Sequence, residues 1–191
     1  MDWEEFLHIT VSVLSISLAF SIIFPESFGD PIQKFFVIFL TVGLGFILHE
    51  LAHKYVAMHY GAYAVYRAWV WGLVFAVSLA FATQFLFGKG FVFAAPGAVY
   101  IFGPHLSRKH NGLIGLAGPL MNLVVAIGFS LLGALSFLNP AIASLGFQVN
   151  MFLGFFNLLP FYPMDGEKVV RWNQNVWFAL FIVFMFFVFF I

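Results

Sequence analysis

The sequence predicts an all-α polytopic membrane protein of about six transmembrane helices, with a short membrane-embedded extended or β segment near 91–103. Three observations carry this. Only 8% of the 191 residues are charged, against about a quarter in a soluble domain, so charge cannot cover a water-facing surface. Hydrophobic residues make up 63%, and they fall in runs long enough to cross a hydrocarbon core. The 29 Phe suit lipid as the surrounding solvent, which does not penalise exposed aromatic surface. The formal net charge of +0 offers no basic field to nucleic acid. The lack of cysteine excludes disulfides, Cys-ligated zinc and thiol catalysis.

The first apolar run, 6–24, follows Asp2, Glu4 and Glu5 rather than a basic segment, so it reads as a retained helix and not a cleaved signal. "FPESFGDPIQK" then supplies Pro25, Gly29 and Pro31 as breakers. The runs at 34–58 and 68–87 each have the length of a span. "FVFAAPGAVYIFGPHLSRKHNG" at 91–112 is apolar but interrupted by Pro96, Gly97, Gly103 and Pro104. Its Val, Tyr, Phe and Ile favour extended backbone, which at membrane depth must be buried in protein or line a cavity. Runs at 112–138 and 141–160 are joined by the tight reversal "LNPA". A last run, 172–191, places Trp172 and Trp177 as interfacial aromatics. Without a linker or repeat, 1–191 reads as one domain, with a core at about 34–171 and flanking helices at 6–24 and 172–191.

Chemistry concentrates in "HELAH", 49–53. On a helix, positions i and i+4 share a face, so His49 and His53 can hold one metal ion while Glu50 flanks it. From the chain's own His and Glu frequencies a chance H-E-x-x-H match arises about 0.005 times, so the motif outweighs a lone histidine. Three ionisable groups inside a span are also costly unless they act. Two imidazoles and a carboxylate that moves the protons of water suit zinc.

A catalytic zinc takes a third protein ligand. His59 would need a chain turn at Val56, a β-branched residue unsuited to positive φ; on a continuing helix it lies roughly 15 Å along the axis from His49. No acidic residue lies between Glu50 and Asp165. His105 and His110 sit beside Arg108 and Lys109 and read as interfacial, and His8 reads as structural. Asp165 remains, after Pro160 and Pro163 and before Gly166, which allows a tight turn; Glu167, next to Lys168, reads as a surface charge. For Asp165 to reach the histidines, their two helices must run parallel, so residues 58–111 cross the membrane twice or not at all. Either option places most Lys and Arg on the side of Lys54. Two crossings is the preferred version, with Lys54 snorkelling to the interface.

With "NLLPFYPMDG" at 157–166 and "LAGPLMN" at 116–122, the motif resembles the site-2 protease family of intramembrane zinc metalloproteases, in a short prokaryotic-type form expected to lack a PDZ domain. Asn157, Pro160, Pro163, Asp165 and Gly166 match its second motif, and Gly118, Pro119 and Asn122 its intervening helix. The resemblance implies one Zn2+ per chain held by His49, His53 and Asp165, with Glu50 as catalytic base. Asn157, and more weakly Asn122, would contact substrate or the oxyanion. It further implies an endopeptidase acting on transmembrane segments of membrane proteins, in a multi-pass protein whose site lies within the bilayer nearer the cytoplasmic face. The segment at 91–103 would be β structure that pairs with unwound substrate. The rival reading is a membrane metal-ion transporter or zinc-binding membrane protein, since intramembrane His and Asp also mark ion paths.

Overall fold

The computed structural model describes residues 2–24, 30–92, 96–103 and 106–190. Pro25, Gly29, Pro104 and His105, singled out above, lie outside them. The described chain is an all-α polytopic membrane protein. Its elements are α1 (Trp3–Ile23), α2 (Pro31–Ile38), a π-helical turn (Phe39–Gly43), α3 (Leu44–His59), β1 (Tyr63–Ala68), α4 (Val70–Phe87), β2 (Gly97–Phe102), α5 (Arg108–Ala134), α6 (Pro140–Asn157), α7 (Asp165–Trp172) and α8 (Gln174–Phe190). Among the described residues, four stretches are long and apolar enough to cross a membrane: Trp3–Ile23, Pro31–His59, Val70–Phe87 and Arg108–Ala134. The other two expected spans are curtailed. Helix α6 ends at Asn157, where "LLPFYP" cannot continue it, and Gln148, Asn150 and Asn157 dilute its apolar character. Asn173, with φ −151° and ψ 106°, separates α7 from α8, so the last apolar helix has 17 residues.

Contacts divide the chain into two units, residues 1–47 with 65–100 and residues 48–64 with 101–191. In the first, Asp2 caps α1 through Glu5 N (2.7 Å). Asp30 caps α2, accepting from Ile32 N and Gln33 N at 2.9 Å. Pro31 thus starts a helix, its missing N–H costing nothing at that position. Helix α1 packs against α2, the π turn and α4. Lys34 and Lys89 line one cleft with Gln84 and the end of α1. Helix α4 therefore ends on the side of the unit where α2 begins.

Strands β1 and β2 form a two-stranded sheet. Trp69 N donates to Pro96 O (2.9 Å) at one end, and the rings of Tyr63 and Phe102 meet at the other, so the strands are antiparallel. Extended structure at 97–102 falls within the segment where the sequence predicts it; its partner at 63–68 is not anticipated. Successive N–H groups along a strand point to opposite sides. Those of Tyr66 and Ala68 point away from β2, and α1 receives them, through Glu5 Oε1 (3.0 Å) and His8 Nδ1 (3.0 Å). His8 is structural, as expected.

In the second unit α5 packs on α6 and α7, and α8 on α6 and α7. Glycines set the closest approaches. A Cβ on Gly146 would strike the Phe129 ring at 2.4 Å, and one on Gly112 would strike Trp172 at 2.3 Å. The core gathers Ala126, Met151, Leu158 and Phe184. Trp177 donates its indole N–H to Leu158 O (2.7 Å), and Trp172 packs on Gly112; both expected interfacial aromatics are thus tied to protein.

Candidate metal centre

Helix α3 continues through Val56 to His59, so His49 and His53 stand one turn apart with ring centroids 4.6 Å apart. Their Nε2 atoms converge at 3.0 Å. Asp165 opens α7, and its Oδ2 lies 2.9 Å from His53 Nε2 and 3.3 Å from His49 Nε2. All three side chains are buried. The sequence reading puts Asp165 in a turn made by Gly166; it is instead the first residue of a helix. Gly166 serves close packing, since a Cβ there would lie 2.1 Å from Leu158 O.

The far ring nitrogens determine the chemistry of the near ones. His49 Nδ1 lies 2.6 Å from Asn122 Oδ1, and His53 Nδ1 lies 2.6 Å from Ile114 O. Both partners accept, so both Nδ1 atoms carry hydrogen, and in the neutral rings both Nε2 atoms then present lone pairs. Two lone pairs and a carboxylate oxygen then face one another with no proton to share, an arrangement that a cation relieves. A tetrahedral zinc with bonds of 2.0–2.1 Å separates its donors by about 3.3 Å, close to the spacing found. Among the described residues this is the single cluster of three or more His, Cys, Asp or Glu that could hold a metal ion. The residues fit zinc.

Helix α5 is bare where it faces this triangle. A Cβ on Gly118 would lie 2.4 Å from His53 Nε2 and 2.5 Å from His49 Nε2. The Gly118→Ala protein is expected to fold but take up no metal, because a methyl fills the position between the ligands. Gly128→Ala, where a Cβ meets nothing within 4 Å, is expected to bind normally and to gain up to about 1 kcal/mol from helix propensity. Zinc content and thermal unfolding of both variants check this; normal zinc content in the Gly118→Ala protein would contradict it.

Glu50 is half-buried on the same turn and within electrostatic reach of His49, Asp165 and Lys168. Asn122, expected beside substrate, stands behind His49 instead. It is fully buried, and its Nδ2 donates to Asn150 Oδ1 (3.1 Å). Asn157 donates to Leu153 O of its own helix (2.9 Å) and is only partly buried. His59 is exposed and meets the Tyr60 ring edge-on. His110 closes a capping box with Ser107 at the start of α5 and stacks on Tyr60 at 4.4 Å. Glu167 pairs with Arg171 one turn on. Lys54 does not snorkel: it is 7% exposed and engaged within the protein.

Sequence reasoning misses Lys168. Its Nζ donates to Asp165 Oδ1 (2.9 Å), which leaves Oδ2 alone to face the histidines. Burial would lower the pKa of this ammonium; the adjacent Asp165 carboxylate more than offsets that and holds it above the ordinary lysine value. The available signal is the i, i+3 spacing of Asp165 and Lys168 on one helix.

The chain is 42% identical over 179 residues to "Putative zinc metalloprotease MJ0611" of Methanocaldococcus jannaschii, covering 91% of this chain and 87% of that protein. The chain belongs to the site-2 protease-like family of zinc metalloproteases. "Putative zinc metalloprotease YwhC" of Bacillus subtilis is 30% identical over 154 residues, covering 74% of this chain and 70% of the relative. "Zinc metalloprotease MJ0392", also of M. jannaschii, is 26% identical over 139 residues, which is 71% of this chain but 33% of that longer protein. No family model matches the chain, and no solved structure does. Within this metalloprotease family the three buried ligand candidates of α3 and α7 gain a chemical setting that geometry alone leaves open.

Proposed function

We propose that the chain is a zinc-dependent intramembrane endopeptidase that hydrolyses peptide bonds in transmembrane segments of other membrane proteins. The observation that carries this is the acceptor-only triangle of His49, His53 and Asp165 with Glu50 on the same helical turn, in a chain whose relatives bear the name of zinc metalloproteases. His49 and His53 through Nε2, and Asp165 through Oδ2, would hold the metal. When bound, zinc supplies Lewis acidity, which makes water a nucleophile near neutral pH. Glu50 takes the proton that water loses as its oxygen adds to the peptide carbonyl carbon. It returns that proton to the nitrogen as the C–N bond breaks, leaving a carboxyl and an amine. Asn122 holds the His49 ring through Nδ1, while Asn157 remains the candidate donor to substrate or oxyanion.

A transmembrane helix has its carbonyls already hydrogen-bonded, so the segment to be cut must unwind locally. A strand edge such as that of β2 would favour this by pairing with the unwound backbone. The ends of α3 and α6 and the distribution of Lys and Arg support a site within the bilayer nearer the cytoplasmic face. The rival transporter would need ligands spaced across the membrane, whereas the described ligands gather in one cluster.

The test is purified, zinc-loaded protein with a panel of single-span substrates. Cleavage within the span is expected. A protein that cuts none of them and instead moves zinc into liposomes would be a transporter.

A further inference from the structure

Behind Asn122, which holds the His49 ring, stands a second buried asparagine on α6, Asn150, with no part yet assigned. Asn122 and Asn150 are both fully buried, in helices brought close by Gly146 against Phe129 and by Gly133 against Ala143. Asn150 Nδ2 donates to Gly146 O, one turn back on α6, at 2.8 Å. Its Oδ1 accepts from Asn122 Nδ2 at 3.1 Å, and Asn122 Oδ1 faces His49 Nδ1 at 2.6 Å.

This chain of bonds has one direction. A backbone carbonyl can only accept, so Gly146 O requires the Asn150 amide to turn its NH₂ towards it. That presents the Asn150 oxygen to Asn122, which must answer with its own NH₂ and so turn its oxygen to His49. The histidine then carries hydrogen on Nδ1 and keeps its Nε2 lone pair for the metal. Had either amide turned over, two NH₂ groups or two oxygens would meet inside a buried helix pair, each leaving an unsatisfied polar group that costs on the order of 1–3 kcal/mol.

We infer that Asn150 is a positioning residue for the metal centre: anchored on the Gly146 carbonyl, it fixes the Asn122 amide and through it the tautomer and orientation of His49. This rests on the reading of His49 as a zinc ligand. Partners behind metal-bound histidines contribute about 10- to 100-fold in metal affinity.

The experiment measures zinc affinity of the full chain in detergent by chelator competition, with ¹⁵N-histidine NMR of the zinc-free protein for the His49 tautomer. Asn150→Leu, similar in volume, is expected to weaken zinc binding about tenfold or more and to mix the His49 tautomers. Asn150→Asp keeps both bonds as the neutral acid, the form that burial favours: its O–H donates to Gly146 O while its other oxygen accepts from Asn122, so it should stay within about threefold of native affinity. In an Asn122→Asp background, either oxygen can accept from His49, so Asn150→Leu should there cost less than about threefold. Native zinc affinity in Asn150→Leu would overturn the inference, as would an equal loss in both backgrounds, which would assign Asn150 to packing. Should Asn150→Leu not fold, loss of zinc by Asn150→Asp overturns it instead. His49→Ala separates the two readings. If it loses zinc while Asn150→Leu keeps it, the positioning role alone fails; if it keeps zinc, the ligand assignment itself fails.

Discussion

Glu50→Gln is expected to keep about one zinc per chain and to cut substrate about 10²–10⁴-fold more slowly, the range a positioned proton carrier supplies. Gln has the same shape and still donates and accepts hydrogen bonds, but it cannot take a proton from water and give it to a leaving amine. The three atoms that converge on the metal position come from His49, His53 and Asp165, so this substitution leaves the ligand set intact. Zinc content and cleavage rate must therefore part company. If the variant loses its zinc, Glu50 is a ligand; if it cleaves at the native rate, another group moves the proton.

Asp165→Ala should have the converse profile. Removing one of three ligands is expected to lower zinc affinity by more than about 100-fold, beyond the usual cost of losing a supporting partner. The same substitution frees Lys168, which now donates to Asp165 Oδ1, and leaves a cation beside the two imidazoles. His59→Ala should bind zinc as the native protein does, since His59 is exposed at the end of α3 and contacts Tyr60. Titration against a chromophoric chelator measures both. Normal affinity in Asp165→Ala with loss in His59→Ala would reassign the third ligand.

The candidate ligand set is legible for different reasons at each residue. His49 and His53 follow from helical periodicity, which sequence reports well. Asp165 follows from scarcity, because the chain offers no acidic residue between Glu50 and itself. Exclusion of His59 rests on Val56, and α3 does run through that position. Other features depend on information that spacing does not hold. "YAVYRA" is six residues between two apolar helices, too short for its alternation to stand out, and it is strand β1. The π turn at Phe39–Gly43 ends on a glycine that lies close against Val13 and Ser17 of α1, a contact that spacing does not announce. Lys54 reads as a membrane-edge cation in the sequence, whereas in the fold it is buried within the protein. The bearing of Asn122 on His49 rather than on substrate depends on which way an amide turns, and only the neighbouring acceptors decide that.

The side chains with which α1 meets β1 have a consequence for the sheet itself. A two-stranded ribbon has two rows of outward backbone groups, and a ribbon at membrane depth has no water to satisfy them. Glu5 and His8 meet the N–H groups of Tyr66 and Ala68 on one of those rows. Polar residues that look misplaced in an apolar helix are, for that strand, its solvent. They also close the seam: a foreign strand cannot zip onto β1 without first displacing a carboxylate and an imidazole, so the ribbon is sealed on one margin by a helix that contributes no strand of its own.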